Sequence, residues 1–347
     1  MKDERENTET HEALSAYGFP PDTAVEPLFG GTANRNYIVR HDGRTFILRR
    51  RSAKYSGNGW LDYEEQYLLH MERAALPVPV PLPAVGGSRR YRMEEATFQL
   101  FPYIGGEAYV PLRIGQLEGA GAMLGRLHRA AAGFRPSVRK PLPRFDDPAA
   151  TAEALRLVLQ GGKDKTASER LTIELMLERA ERLCRQLPDE AYDRLPHTIV
   201  HGDFHPANVA FRGDAVSALY DFDWISEQPR LRDIADLVVY FAALRAEPLD
   251  GGSIYSLVQS CTFDTERAIA ALCAYTREAR EVLTEEEASV LPDLMAARLL
   301  HSRVQALAKV PPERAVGVLT GGIEGPLKWL DDNRDALAEA IVAIKGC

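Results

Sequence analysis

The sequence has few cysteines, no long apolar run and no excess of positive charge. Its 347 residues include four cysteines, none in a C-x-x-C pair, so a reduced, cytoplasmic protein is expected. The longest apolar stretch, 237–244, is too short to cross a bilayer, and the polar N-terminus lacks the apolar core of a secretory signal. A net charge of −8 disfavours nucleic acid and anionic membranes as partners.

The content of hydrophobic residues is sufficient for a large core and for two lobes. Hydrophobic residues make up 45% and charged residues 27% of it, as in ordinary globular proteins. Strand patterns occupy 24–29, 36–40, 45–50 and two segments between 91 and 103, with His41-Asp42-Gly43 as a hairpin turn. The segment 61–75 has helical periodicity, and residues 1 to about 10 resemble a frayed tail before a short helix at 11–17.

Helical patterns dominate after Gly105-Gly106. They predict helices over 112–133, 147–160, 166–187, 231–246, 265–281, 285–308 and 325–345. A β-rich beginning and a helical remainder indicate an α+β fold with a cleft at the junction. We expect an N-terminal lobe over 1–101, a hinge over 102–106 and a helical C-terminal lobe over 107–347.

The most informative segment is a short β-hairpin region over 198–223. An apolar run leads to Asp203, Asn208 follows five residues later, and Asp221 follows Asn208 by thirteen. Phosphoryl transfer needs a carboxylate to orient a hydroxyl and a pair of oxygen ligands for Mg²⁺. Asp203 suits the first task, whereas Asn208 and Asp221 suit the second.

This segment, His-Gly-Asp-Phe-His-Pro-Ala-Asn-Val followed by Tyr-Asp-Phe-Asp-Trp, resembles the aminoglycoside phosphotransferase, choline kinase and type II homoserine kinase superfamily. The resemblance implies a protein-kinase-like fold, a small β-rich lobe and a larger helical lobe, with ATP and Mg²⁺ as cofactors. It implies Asp203 as catalytic base, with Asn208 and Asp221 as metal ligands. Asp223 is either a second metal partner or a loop anchor.

The nucleotide-binding residues are predicted from the first lobe. Gly30, Gly31 and Thr32 lie in a turn that either is ordinary or resembles the family's phosphate loop. Alternation places Ile47 and Arg49 on one face of a strand, where Ile47 would cover adenine and Arg49 would replace the family's phosphate-binding lysine. A solvated basic strand end is the alternative, with Arg51 or Lys54 then supplying the phosphate cation.

Two further predictions concern the partner of Arg49 and the adenine. Glu64, with Glu65 as its rival, lies at the edge of a buried helical face and is expected to pair with Arg49. The segment 99–106 resembles an interlobe hinge, where adenine would bond the carbonyl of Pro102 and the N–H of Ile104. His128 and His201 are expected to be structural.

These features favour an ATP-dependent kinase that acts on a hydroxyl of a small molecule, as a monomer or homodimer. A homoserine-kinase-like metabolite kinase ranks first and an aminoglycoside phosphotransferase second. A nucleotide-binding pseudokinase scaffold is a further alternative. A metallohydrolase would use His201, Asp203, His205, Asp221 and Asp223, but it leaves the glycine turn, the basic strand and the hinge unexplained.

Overall fold

A computed structural model describes residues 2–28, 34–52, 56–94, 96–161, 165–250 and 253–344. The chain divides into two compact units. One contains 1–105, 134–140 and 218–223, and the other contains 106–133, 141–217 and 224–347. Two segments from the later part of the sequence therefore belong to the first unit by their contacts.

The first unit is built on a five-stranded antiparallel sheet. Its strands are β1 (Ala24–Leu28), β2 (Arg35–His41), β3 (Arg44–Arg51), β4 (Tyr91–Arg92) and β5 (Thr97–Pro102), in the order β1-β2-β3-β5-β4. The turn between β2 and β3 has positive φ at Asp42 (48°) and Gly43 (70°). This geometry suits a tight hairpin and confirms the predicted turn.

Two helices complete this unit, α1 (Lys2–Ala16) and α2 (Asn58–Arg73). The prediction of a frayed tail was wrong, because α1 begins at Lys2. Its Leu14 packs in a buried cluster with Leu48 of β3, and its Glu9 accepts hydrogen bonds from Arg50 at 3.0 and 3.2 Å. Tertiary contacts thus hold a segment whose composition alone suggests a solvated tail.

The second unit is mainly helical. Its helices are α3 (Ile114–Ala131), α4 (Pro148–Gln160), α5 (Ala167–Gln186), α6 (Asp189–Tyr192), α7 (Leu231–Asp236), α8 (Ile254–Leu257), α9 (Thr265–Ala279), α10 (Glu285–Ala306), α11 (Ala315–Thr320), α12 (Glu324–Asp332) and α13 (Arg334–Val342). The predicted helix over 231–246 is shorter, because α7 passes into a π-helical turn over Leu237–Ala242. The predicted helix over 325–345 is divided at Asn333.

Short strands carry the sequence motif. β6 (His197–Val200) pairs antiparallel with β9 (Ser226–Pro229), and β7 (Val209–Arg212) forms a hairpin with β8 (Ala215–Leu219). The loop after β6 holds Asp203, and the segment after β8 holds Asp221. The α+β fold class is therefore confirmed.

Two further features bear on the expectations from composition. No helix in the described part of the chain is long and apolar enough to cross a membrane. Cys184 and Cys261 are free thiols, whereas Cys273 is disulfide-bonded, so the expectation of a wholly reduced chain was wrong at that position. Spacing along the sequence does not show which cysteines the fold brings together.

Candidate active site

Strand β3 divides its side chains between a core and a cavity. Leu48 is fully buried in the apolar cluster beneath α1. Ile47, Arg49 and Arg51 alternate with it and line an open cavity in the first unit. The period of two along a strand produces this division.

A buried ionic network closes one side of this cavity. The Arg51 guanidinium lies 2.6 Å from Glu64 and 2.7 Å from Asp223. The Lys140 ammonium lies 2.6 Å from the Glu64 carboxylate and donates to the main-chain carbonyl of Asp223 at 2.5 Å. All four side chains are almost completely buried, so each charge depends on its neighbours for compensation.

The expected pairing of Arg49 with Glu64 was wrong, because the Glu64 carboxylate is paired with Arg51 and Lys140. Both arginines are on the same strand face, but Arg51 is two residues further along and reaches α2. Glu64 rather than Glu65 is the partner that joins this network, as the prediction preferred. Glu65 lies at the cavity wall, with Arg90 at 3.6 Å.

Arg49 faces the cavity and is more open to solvent than Arg51. Its side chain is 16% exposed, against 1% for Arg51. It donates to Asn36 at 3.1 Å and to Asp223 at 3.2 Å, and lies 3.5 Å from Asp221. Its guanidinium also lies 5.6 Å from the centre of the Phe101 ring. A phosphate in the cavity would find this cation accessible.

The two aspartates after β8 have different environments. The Asp223 side chain is 4% exposed and accepts hydrogen bonds from Arg51, Arg49 and Asn34. Burial raises its pKa, but the charges of Arg51, Arg49 and Lys140 together outweigh burial and lower the pKa to about 2. Asp221 is 36% exposed on the cavity wall, so its carboxylate is the more accessible to a metal ion.

Asp221 also has an uncommon backbone. Its φ is +60°, a left-handed conformation that non-glycine residues seldom adopt. Such strain is often found at functional sites, where surrounding contacts hold it. Here the fully buried strand residue Leu219 precedes it, and the buried Phe222 and Asp223 follow it.

The remaining cavity wall suits an aromatic ring. Leu68, Phe101, Pro102 and Tyr220 line it together with Ile47. Pro102 ends β5 opposite Phe46. The carbonyl of Ile104 accepts a hydrogen bond from the Tyr220 hydroxyl, and Ile104 is not among the lining residues. The predicted phosphate-loop residues Gly30, Gly31 and Thr32, and the alternative cation Lys54, lie outside the described residues.

The loop after β6 is fixed in the second unit by Asp233. This carboxylate accepts hydrogen bonds from the backbone N–H groups of His201 (2.6 Å) and Gly202 (2.9 Å). His128 lies 3.1 Å from it and 3.0 Å from the Tyr275 hydroxyl. Asp233 and both histidines are buried, so their predicted structural roles agree with these contacts.

The backbone conformation and the close packing at position 202 can be adopted only by glycine. Its φ is +81°, and an added Cβ would lie 2.6 Å from the carbonyl oxygen of Trp224. Positive φ and close approach both require glycine. This turn presents the next residue, Asp203, with 23% of its side chain exposed.

Three polar groups surround the Asp203 carboxylate. Arg298 lies 3.2 Å away, His205 lies 3.3 Å away, and the Asn208 amide donates to the carboxylate at 3.4 Å and to the Asp203 carbonyl at 3.0 Å. Burial raises the Asp203 pKa, but His205 and Arg298 together outweigh it and hold the pKa well below its usual range. Asp203 is therefore ionised at neutral pH.

Arg298 was not predicted from the sequence. It lies in α10, 95 residues from Asp203, and bridges Asp203 to Asp236 at 2.6 Å. Asp236 also pairs with Arg232 at 2.6 Å. A local sequence motif cannot predict a contact between residues so far apart in the chain. The contact of Lys140 with Glu64 in the first unit was not predicted for the same reason.

Asn208 and Asp221 are suited by chemistry to a hard cation. The Asn208 side-chain nitrogen makes hydrogen bonds to Asp203 and His205, and its side-chain oxygen is a ligand type that Mg²⁺ accepts. Within the described ranges, no group of three or more His, Cys, Asp or Glu side chains is placed to hold a metal ion. A Mg²⁺ site can consist of one or two protein ligands together with substrate phosphates.

Comparison with known proteins identifies the family. Residues 24–272 match the phosphotransferase enzyme family. The chain belongs to this family. It is similar to a homoserine kinase from Sinorhizobium medicae (strain WSM419), at 23% identity over 308 residues, 86% of this chain and 84% of that protein. It is also similar to stress response kinase A from Salmonella typhi, at 27% identity over 228 residues, 64% of this chain and 65% of the relative.

Solved structures share the fold. A microcompartment-associated aminopropanol kinase superposes with a TM-score of 0.70 at 15% identity, covering 95% of this chain and 98% of its own. An amicoumacin kinase in complex with AMP-PNP and Ca²⁺ gives 0.66 at 14% identity, covering 97% and 96%. The superfamily and the protein-kinase-like fold predicted from the sequence are confirmed, and the chain is a phosphotransferase enzyme.

Proposed function

We propose that this phosphotransferase moves the γ-phosphate of Mg·ATP to a hydroxyl of a small metabolite. The observation that carries the proposal is the Asp203 carboxylate, ionised, partly exposed and oriented by Asn208 and Arg298. An ionised carboxylate in this setting accepts a hydrogen bond from the hydroxyl of the acceptor. This hydrogen bond directs a lone pair of the hydroxyl oxygen at phosphorus.

Asp203 would act mainly by orientation. As the acceptor O–P bond forms and the bond from phosphorus to the β–γ bridging oxygen breaks, the hydroxyl proton passes to the Asp203 carboxylate and then to solvent. The low pKa makes Asp203 a weak base in the ground state. The hydroxyl becomes acidic only as its bond to phosphorus forms, so proton transfer comes late.

We propose the cavity of the first unit as the nucleotide site, because basic and apolar side chains line it together. We propose that Ile47, Pro102 and Ile104 bind adenine and that Arg49 meets the phosphates, with Gly30, Gly31 and Thr32 as the phosphate loop. Glu64 would act indirectly, by holding Arg51 and Lys140 beside Asp223.

Asn208 and Asp221 would be the metal ligands. When bound, Mg²⁺ would neutralise charge on the phosphates. We further propose that 1–101 supplies the nucleotide lobe, 102–106 the hinge and 107–347 the acceptor site. Cytoplasmic location and a monomeric or homodimeric state remain predictions.

A homoserine-type amino alcohol is the acceptor that we favour, because the homoserine kinase relative matches most of both chains. An aminoglycoside is the second candidate, supported by a structural neighbour described as an aminoglycoside phosphotransferase, with a TM-score of 0.65. The test is an ADP-release screen over amino alcohols, sugars and aminoglycosides, with Asp203→Asn as the background. Turnover of at least one acceptor above that background is expected. Equal ADP release by the two proteins with every acceptor would contradict the proposal.

A further inference from the structure

Tyr240 lies at the centre of a group of basic side chains in the helical unit. It is carried by the π-helical turn after α7, a geometry that often marks functional sites. The guanidinium carbons of Arg298 and Arg245 lie 5.1 and 5.4 Å from the centre of its ring. The His205 ring lies 5.8 Å away. Arg298 also contacts Asp203 at 3.2 Å, so the Tyr240 ring lies beside a side chain that touches the catalytic carboxylate.

Three cations of this region are not neutralised by the protein. Arg245 donates to the carbonyls of Val239 at 2.7 Å and Ala243 at 3.5 Å, and Arg303 donates to the carbonyl of Val318 at 3.1 Å. Lys309 is exposed. Among the described residues, none of the three has a carboxylate within 4.0 Å.

The two carboxylates that contact Arg298 are already engaged. Asp236 is paired with Arg232 and Arg298, and Asp203 with Arg298 and His205. Arg245 and Arg303 therefore contribute positive charge to this region that no carboxylate within 4.0 Å offsets among the described residues. A polycation would meet like charge here, whereas an anion would find unpaired donors.

Arg303 is the most unusual of the three cations. It is 2% exposed, and a buried guanidinium without a counter-ion is costly. Burial lowers its pKa to about 10, and the neighbouring charge of Arg245 acts in the same direction. A bound anion would relieve both effects.

Resting on the proposed function, we propose that the acceptor carries an anionic group, a carboxylate or a phosphate. This group binds to Arg245, with the charge of the buried Arg303 behind it and Lys309 at the edge of the subsite, while the acceptor hydroxyl is presented to Asp203. The assignment favours hydroxy acids and amino acids of homoserine type over aminoglycosides.

Matched acceptors test the charge requirement. We would compare homoserine with 3-amino-1-propanol, glycerate with glycerol, and glycerol 3-phosphate with glycerol, by ADP release. At least one anionic member should exceed its uncharged or cationic partner by about tenfold or more in kcat/KM, as a charged hydrogen bond would give. The glycerate and glycerol 3-phosphate arms distinguish carboxylate from phosphate.

Substitutions locate the subsite. Arg245→Gln and Arg303→Gln should raise KM for the preferred anionic acceptor about 10- to 100-fold, with a much smaller change in kcat. Arg303→Lys should recover part of the loss, which separates charge from packing. Arg170→Gln, at a 59% exposed arginine of α5, is the control and should leave KM unchanged.

Calorimetry with saturating Mg·AMP-PNP provides a readout that needs no turnover. Binding of the anionic member by the wild type, and its loss in Arg245→Gln, is the expected result. The inference is overturned if the uncharged partners are used or bound equally well, or if both glutamine variants keep the wild-type KM. Absence of ADP formation with every acceptor would instead count against the proposed function, and calorimetry would still decide the anion site.

Discussion

Replacing Arg51 by methionine should destabilise the protein, because Arg51 is the buried cation shared by Glu64 and Asp223. Removing one partner of a buried ionic network costs about 3–5 kcal/mol. We expect a value near the lower end, since Lys140 remains 2.6 Å from Glu64 and Arg49 remains 3.2 Å from Asp223. Urea unfolding, followed by fluorescence and circular dichroism, measures the change.

The matched control is Arg44→Met at the exposed start of the same strand, which should change stability by less than about 0.5 kcal/mol. A double-mutant cycle of Arg51→Met with Glu64→Gln should give a coupling of about 0.5–3 kcal/mol. The same cycle with Arg49→Met should give a smaller coupling. The network as described is refuted if Arg51→Met behaves like the control, or if Arg49 couples more strongly to Glu64 than Arg51 does.

Further predictions concern the metal site, the phosphates and the pH dependence. Asp221→Ala should abolish the Mg²⁺ dependence of ATP binding, whereas Asp223→Ala should mainly lower the stability of the protein. Mg²⁺ titration measures the first effect and urea unfolding the second. If Asp223→Ala loses the Mg²⁺ dependence and Asp221→Ala loses stability, the roles of the two aspartates are exchanged. The Asp223 pKa is about 2 against an ordinary value of 3.8. The ionised Asp223 carboxylate therefore stabilises the protein above about pH 4, and this stabilisation is lost as the pH falls towards 2. The stability of Asp223→Asn should lack this pH-dependent loss in acid unfolding. Arg49→Ala should raise KM for ATP and Arg49→Lys should largely retain it, and an unchanged KM in both would make Arg49 a structural residue. Arg298→Gln removes a charge that lowers the Asp203 pKa, so the acid limb of the kcat profile should move to higher pH; an unmoved limb would show that Arg298 does not act on Asp203.

Sequence patterns predicted the parts of this protein that local chemistry determines. Alternation along β3 placed Ile47 and Arg49 on one face, and both line the cavity. The Asp-Gly turn and the positions of most helices followed from backbone preference and periodicity. The spacing from Asp203 to Asn208 corresponds to a direct hydrogen bond between the two residues.

Contacts between distant segments could not be read in the same way. Lys140 reaches Glu64 from 76 residues away, and Arg298 reaches Asp203 from α10. The choice between Arg49 and Arg51 as the partner of Glu64 depends on where α2 packs along the strand, which is a tertiary property. The helix α1 is stabilised by contacts with Arg50 and with the apolar cluster that includes Leu48. These partners lie outside residues 1–16, so the local sequence does not reveal them.

The role of Asp203 is tested most directly by comparing kcat and ATP affinity in Asp203→Asn and the wild type. We predict a loss of about 10²- to 10⁴-fold in kcat, with ATP affinity within about twofold, because the cavity proposed to bind the nucleotide is lined by other residues. Asp193→Asn, at an exposed aspartate of the same unit, should retain full activity. Near-normal turnover by Asp203→Asn would contradict the assignment of this carboxylate as the group that orients the acceptor.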